Sequence, residues 1–170
     1  MLNLTGKVAI VCGCGSHGND FGNGRAIATT LARQGAQVIG IDIDDTAGQN
    51  ARDFIIKEGN FCEFYKVNMT NENEVQKFFK TFQTQYKSLE ILINVVGQSE
   101  PGGPTEINTE NWEKQFRLNL DTAYYSIKKA IPIMRQNKGG SIVNISSVAG
   151  LRYVGKPQVA YSASKSALIQ

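Results

Sequence analysis

Short apolar runs alternate along the chain with longer segments whose apolar residues recur at helical spacing. The apolar runs predict five strands, at 7–12, 36–42, 61–67, 89–96 and 141–147. The segments between them predict helices over 24–35, 45–58, 71–86, from Thr109 onwards, over 119–138 with a kink at Pro132, and from Gln158 onwards. Strands separated by helices pair in parallel through right-handed crossovers.

Residues typical of helix ends support these boundaries. Gly35 and Gly59 follow the first two predicted helices, at positions where a glycine commonly stops a helix. Asn71, with Glu74 three residues later, predicts a capping box. Thr109 is the predicted N-terminal cap of the fourth helix.

The predicted fold class is α/β: a Rossmann-like, doubly wound parallel sheet in three layers, α/β/α. A length of 170 residues with 41% hydrophobic residues predicts a single domain over 1–170. The sequence stops within the last predicted helix at Gln170, so we expect a fold truncated after the fifth strand and the start of that helix. Ligands of such a sheet bind beyond the carboxyl ends of its strands.

The distribution of charge argues against nucleic acid or a membrane as a partner. The 18 basic and 15 acidic residues are scattered along the chain, and the formal net charge is +3. Because no apolar run approaches the roughly 18 residues that span a bilayer, and no secretory signal pattern is present, we expect a cytoplasmic protein. Cys12, Cys14 and Cys62 lack paired spacing, so no metal site is expected.

The first predicted strand is followed by a glycine-rich turn and then by a helix. A dinucleotide's pyrophosphate needs backbone amides at a helix N-terminus, with glycines where a side chain would block its approach. Gly13, Gly22 and Gly24 supply that pattern. Asp42 ends the second predicted strand, where a carboxylate can accept hydrogen bonds from a ribose diol. Because this carboxylate would repel the 2′-phosphate of NADP, the expected cofactor is NAD.

A tyrosine and a lysine stand four residues apart in the last predicted helix. In "YSASK", Tyr161 and Lys165 project from one helix face, about one turn from each other. An ammonium group favours the phenolate form of a nearby tyrosine, which suits acid–base catalysis. The same pair can also be a surface aromatic beside a solvated lysine.

Taken together, these motifs resemble the short-chain dehydrogenase/reductase family, classical type, over residues 6–170. The matching motifs are the glycine turn, "LINVVG" (92–97), Asn119 in "FRLNL", Ser147 in "IVNISSVAG", and Tyr161 with Lys165 in "YSASK". They occur in the family's order and at nearly its separations. The resemblance implies a single NAD-binding domain whose C-terminal strands and substrate loop are absent from the chain.

The resemblance implies a catalytic tetrad and a set of cofactor contacts. Tyr161 would be the general acid/base, Ser147 would orient the substrate oxygen, Lys165 would favour the phenolate and bind the nicotinamide ribose, and Asn119 would help to hold a water. The implied chemistry is hydride transfer between NAD and a secondary alcohol or ketone. The implied cofactor-binding residues are Gly13, Gly22, Asn23, Gly24, Asp42, Asn68, Met69, Asn94, Gly97, Tyr161 and Lys165.

Three departures from the family pattern stand out. Gly13 and Gly22 enclose eight residues where the family has three, so Ser16, His17 or Asn19 could add contacts to the pyrophosphate. Asn94 keeps the first amide of the family's Asn-Asn-Ala-Gly and is expected to secure the sheet. Asn68 replaces an aspartate, but its carbonyl oxygen can still accept a hydrogen bond from the adenine amino group.

Two other functions remain open at this point. A noncatalytic NAD-binding module or an inactive fragment would fit the early end of the sequence. An enoyl reductase would fit the stretched turn, but the close spacing of Tyr161 and Lys165 favours alcohol or carbonyl chemistry. The resemblance also implies a homodimer or homotetramer, and the substrate's identity is not predicted.

Overall fold

The structure is a computed structural model that describes residues 3–16, 21–137 and 139–170. Its strands are β1 (Val8–Cys12), β2 (Gln37–Asp42), β3 (Cys62–Lys66), β4 (Ile91–Asn94) and β5 (Ser141–Asn144). The helices are α1 (Asn23–Arg33), α2 (Asp45–Lys57), α3 (Glu72–Gln85), α4 (Thr109–Phe116), α5 (Thr122–Gln136) and α6 (Val159–Ile169).

The strands form one parallel sheet in the order β3-β2-β1-β4-β5. The chain runs outward from β1 through β2 to β3, returns to the other side of β1 for β4, and then continues outward to β5. The carboxyl ends of β1 and β4 therefore flank the point where the winding direction reverses, which is where ligands of such sheets bind. The predicted doubly wound α/β fold is confirmed.

Two hydrophobic cores cover the two faces of the sheet. Alternate residues of β1 point to opposite faces, so Ile10 enters one core and Val11 the other. One core contains buried residues of α3 and α5, and the other contains residues of α1 and α2. Because both faces are covered, β1 is apolar along its whole length, and β2 is apolar between its two end residues, Gln37 and Asp42.

Several predicted helix ends are confirmed and two are revised. Gly35 and Gly59 both adopt positive φ after α1 and α2, as a glycine stop requires. The cap of α4 is Asn108, whose side chain accepts a hydrogen bond from the Asn111 amide, so the prediction of Thr109 was wrong by one residue. Thr109 is instead the first helical residue.

The predicted capping box of α3 is only half formed. The Asn71 side chain accepts hydrogen bonds from the amides of Asn73 and Glu74, as a cap should. The Glu74 carboxylate does not return to the Asn71 amide, because it accepts hydrogen bonds from the Asn68 amide and the Asn71 side chain instead. Glu74 therefore fixes the segment after β3 as well as the helix start.

A five-residue π-helical turn, Arg117–Asp121, joins α4 to α5. The sequence predicts two helices here, and the structure shows one continuous helical run over 109–136 with a π-turn inside it. Pro132 lies within α5, which continues beyond it to Gln136. Within the described ranges, no helix is both long enough and apolar enough to span a membrane.

Candidate active site

A cleft of about 550 Å³ lies beyond the carboxyl ends of β1 to β4. This volume is within the usual range for small-molecule and cofactor sites. The cleft is lined by Gly13, Gly15, Ser16, Gly22, Asn23, Gly24, Asp42, Ile43, Asp44, Val67, Asn68, Met69, Thr70, Val95, Val96, Gly97, Gln98 and Leu118. All of the predicted cofactor-binding residues line it except Asn94, Tyr161 and Lys165.

The glycines at the start of α1 allow a close approach between β1 and the helix. A Cβ atom added at Gly24 would lie 1.7 Å from the Gly13 carbonyl oxygen, so no side chain fits there. Gly13 itself has φ of +87° and packs against the Val96 backbone. These contacts bring the N-terminus of α1 to the floor of the cleft, where its free amides can face an anion.

The amides that leave β1 are directed at the end of β2. Gly13 and Cys14 both donate to the Ile41 carbonyl oxygen, at 2.7 and 3.0 Å. The next amide, that of Gly15, donates to Oδ2 of Asp42 at 2.8 Å. The strand side of the glycine turn is therefore bound to β2, and the helix side is left to meet a ligand.

The Asp42 carboxylate is held in place by two backbone amides. Its Oδ1 accepts a hydrogen bond from the Asp44 amide at 3.0 Å, and its Oδ2 accepts the bond from Gly15. A carboxylate has about four acceptor positions, so two remain for a ligand in the cleft. A diol is a suitable partner, because it can donate to both oxygens.

The longer glycine turn is closed at its base. The Ser16 hydroxyl oxygen accepts a hydrogen bond from the Gly22 amide at 2.9 Å. Both residues line the cleft. His17 and Asn19, for which pyrophosphate contacts were predicted, lie outside the described residues.

Asn68 and Met69 line the cleft beyond the end of β3. The side-chain oxygen of Asn68 already accepts hydrogen bonds from the amide and the hydroxyl of Thr70, at 3.0 and 2.7 Å. Because a carbonyl oxygen has two lone pairs, the acceptor role predicted toward adenine is already taken by Thr70. The side-chain NH₂ of Asn68 is the group left to meet a ligand.

Asn94 lies behind the cleft and links three elements. Its side-chain NH₂ donates to Asn144 on β5, and its oxygen accepts from the Ser126 hydroxyl on α5. These bonds are 2.8 and 2.7 Å long, and Asn94 is buried. The arrangement supports the predicted role of Asn94 in securing the sheet.

Asn119 lies in the π-turn and holds the chain that follows β4. Its side chain accepts from the Gln98 amide and donates to the Gln98 carbonyl, at 3.0 and 3.1 Å. It also donates to Gln115, one turn earlier. A Cβ atom added at Gly97 would lie 2.7 Å from the Asn119 oxygen and 2.9 Å from the Lys165 nitrogen, so all three residues meet at one point.

Lys165 is buried at this meeting point, with 3% of its surface exposed. Its Nζ donates to the Ile145 carbonyl oxygen at 2.9 Å and lies 6.0 Å from the centre of the Tyr161 ring. Burial lowers the pKa of the Lys165 ammonium, because the charged form loses hydration. The predicted pair of Tyr161 and Lys165 is therefore next to the end of the cleft marked by Gly97.

Ser147 and Ser146 have different partners in the segment after β5. Ser147 caps a short 3₁₀ turn, Val148–Gly150, and its hydroxyl oxygen accepts from the Ala149 amide at 3.2 Å. Ser146 donates to the Lys165 carbonyl oxygen on α6 at 2.9 Å. Ser146 thus attaches the segment to the helix, while the Ser147 hydroxyl keeps its proton for another acceptor.

Sequence reasoning missed Gly15 and the part played by the backbone of Gln98. Gln98 is held by Asn119 through both of its backbone groups, and Gly15 donates to Asp42. The clue to Gly15 was available in the sequence, since a second glycine stands two residues after Gly13. No sequence signal indicates the backbone of Gln98.

Comparisons with known proteins show which family the chain belongs to. A family model described as short chain dehydrogenase matches residues 7–170. Among curated proteins, oxidoreductases from Staphylococcus aureus strains MW2 and USA300 are 31% and 32% identical over 168 residues. These matches cover 99% of this chain and 69% of each relative.

Solved structures give the same result. A crystal structure described as a short-chain dehydrogenase/reductase from Burkholderia xenovorans has a TM-score of 0.96 and 38% identity. A 7α-hydroxysteroid dehydrogenase complexed with NADH and 7-oxo glycochenodeoxycholic acid has a TM-score of 0.88 and 28% identity. The matches cover 98% and 97% of this chain, which spans 66% and 62% of those two chains. The chain therefore belongs to the short-chain dehydrogenase/reductase family.

Proposed function

We propose that this chain is the cofactor-binding and catalytic part of an NAD-dependent oxidoreductase that interconverts a secondary alcohol and a ketone. The observation that supports it best is the position of the Lys165 ammonium. It is buried beside Gly97 at one end of the cleft, and it faces the Tyr161 ring. A charge is not buried in this way without a role or a partner, and its only hydrogen bond among the described residues is to Ile145.

Several residues that line the cleft support NAD as the cofactor. Gly13, Gly22 and Gly24 leave the N-terminus of α1 open to the pyrophosphate, and Asn23 lies in its first turn. Asp42 would accept hydrogen bonds from the adenosine ribose hydroxyls and repel a 2′-phosphate, which favours NAD over NADP. The related hydroxysteroid dehydrogenase that was crystallised with NADH supports a nicotinamide cofactor.

Met69 and the side-chain NH₂ of Asn68, which line the cleft beyond β3, would contact the adenine. Asn94 would act indirectly, by keeping the ends of β4 and β5 in register beside the cofactor.

When bound, the nicotinamide supplies the hydride chemistry, and the protein's part is to move a proton and hold the substrate oxygen. Ser147 accepts from the Ala149 amide, so its own proton is free to be donated to that oxygen. As the alcohol is oxidised, its carbon would give a hydride to the bound nicotinamide, and its hydroxyl proton would pass to the Tyr161 phenolate. The remaining N–H groups of Lys165 would favour that phenolate and bind the nicotinamide ribose.

Asn119 has one lone pair left on its side-chain oxygen, beside Lys165. A water held there would connect the lysine to solvent. Small alcohols and ketones are the substrate class, and the protein would act as a cytoplasmic homodimer or homotetramer.

The test is an absorbance assay of the chain with NAD and a panel of secondary alcohols, followed by NADH with the matching ketones. We expect NADH to form with at least one alcohol. Tyr161→Phe should reduce turnover by at least about 100-fold, because proton transfer is typically worth 10² to 10⁴ in rate. Calorimetry should show that the affinity of this variant for NAD is unchanged.

Tyr124→Phe is the matched control, since Tyr124 is an exposed tyrosine on α5 outside the site. It should keep full turnover. Near-normal activity of Tyr161→Phe would contradict the role of Tyr161. NAD binding without turnover of any alcohol or ketone would favour a noncatalytic NAD-binding module instead.

A further inference from the structure

The hydrogen bond between the Gly15 amide and the Asp42 carboxylate joins two parts of the cleft that are far apart in sequence. Gly15 belongs to the glycine turn after β1, and Asp42 ends β2. Both line the cleft. The bond is short, at 2.8 Å, and its acceptor is charged, so it belongs to the stronger class of hydrogen bonds.

We propose that Gly15 is a positioning residue for the adenosine ribose, acting through Asp42 and not by contact with the cofactor. The inference rests on the proposed function, because it gives Asp42 the ribose hydroxyls as its ligand. It adds a residue that fixes the orientation of the carboxylate. The turn and the ribose site then form one unit.

The crowding around Gly15 explains why a glycine is needed there. A Cβ atom at this position would lie 2.8 Å from the Ala47 Cβ and 2.9 Å from Oδ2 of Asp42. Real Cβ atoms are almost never found at such distances, and rotation of the carboxylate would leave the contact with Ala47, so the turn or the start of α2 must move and disturb the bond to Asp42. Gly15 does not have a positive φ, so the requirement comes from space and not from the backbone conformation.

Two backbone amides hold the carboxylate, one on each oxygen, and Gly15 supplies one of them. The Asp44 amide holds Oδ1, and the Gly15 amide holds Oδ2. With both bonds present, the plane of the carboxylate is fixed, and each oxygen keeps one acceptor position for a ligand in the cleft that Asp42 lines. With the Gly15 bond lost, the carboxylate can rotate about its remaining bond to Asp44, and a diol no longer meets two aligned oxygens.

The test compares the binding of NAD with that of its analogue lacking the 2′-hydroxyl of the adenosine ribose. For the unchanged chain, we expect calorimetry to show that the analogue binds about 10-fold more weakly than NAD, because one hydrogen bond to a charged group is lost. Gly15→Ala should weaken the binding of NAD about 10-fold, and it should reduce the preference for NAD over the analogue to less than about 3-fold. The melting temperature and the far-ultraviolet circular dichroism spectrum show whether the variant is folded.

A second comparison places the same substitution in the Asp42→Ala background. If Gly15 acts through Asp42, Gly15→Ala should change the Kd for NAD by less than about twofold there. An equal loss in both backgrounds, or an unchanged preference for NAD over the analogue, would overturn the proposal. Failure of the unchanged chain to bind NAD would instead overturn the proposed function itself.

Discussion

At the scale of single residues, the site depends on groups whose partners are far away in the sequence. Asp42 could be predicted as a ribose ligand from its place at the end of a strand. Its hydrogen bond to Gly15 could not, because that contact depends on how the turn after β1 folds over β2. Lys165 is a similar case: its spacing from Tyr161 is visible in the sequence, but its burial beside Gly97 and Asn119 is not.

Asp42→Ala should weaken NAD binding by roughly 1.5 to 3 kcal/mol, the typical contribution of hydrogen bonds to a charged group. The reason is that the two acceptor positions of the carboxylate that face the cleft are removed. Calorimetry of the variant with NAD measures the change, and NADP should lose less affinity because a repulsive charge is removed as well. Equal NAD affinity before and after the substitution would exclude Asp42 as a ribose ligand.

At the scale of elements, the alternation of apolar runs and helical segments was enough to predict all five strands along the chain. Such patterns work well here because both faces of a parallel sheet are buried. The strands β3 and β4 end earlier than predicted because the apolar residues Val67, Val95 and Val96 lie in the turns that line the cleft. The π-turn within the run 109–136 could not be predicted, because it depends on the Asn119 side chain meeting the backbone of Gln98.

The cap of α4 gives a direct test of the revised helix boundary. Asn108→Ala should lower the free energy of unfolding by about 1 kcal/mol, because the Asn111 amide loses its side-chain acceptor. Thr109→Ala should change it by less than about 0.5 kcal/mol, since Thr109 makes no capping bond in the described structure. Urea unfolding of the two variants measures both values, and a larger loss for Thr109→Ala would restore the boundary predicted from sequence.

At the scale of the whole molecule, the buried thiols make stability depend on pH. Burial raises the pKa of Cys12 from 9.0 to about 12, and it raises the pKa of Cys14 and Cys62 as well. Above pH 9 the unfolded chain loses these protons while the folded chain keeps them, so the folded state loses stability as pH rises. Lys165 acts in the opposite sense, because burial lowers its pKa and folding is favoured as pH rises toward 10.5.

Three thiols outweigh one lysine, so the free energy of unfolding should fall above about pH 9, by up to about 1.4 kcal/mol per pH unit for each thiol. Urea unfolding at about pH 8, 9 and 10 measures this slope. Cys12→Ala should be less stable at neutral pH because the substitution leaves a cavity. Its free energy of unfolding should fall less steeply with pH, by up to about 1.4 kcal/mol per pH unit, because one titrating thiol is removed. Stability that stays constant or rises over this range would contradict the prediction.

The closed base of the glycine turn has a consequence for how this sequence can change. Ser16 and Gly22 are joined directly by a hydrogen bond, and Phe21 packs edge-to-face on Phe54 of α2 while the Arg25 guanidinium lies over both rings. The start of α1 is therefore anchored to α2 as well as to β1. Because neither Phe21 nor Phe54 lines the cleft, substitutions at these two positions would act on the cofactor site from outside, through the first turn of α1.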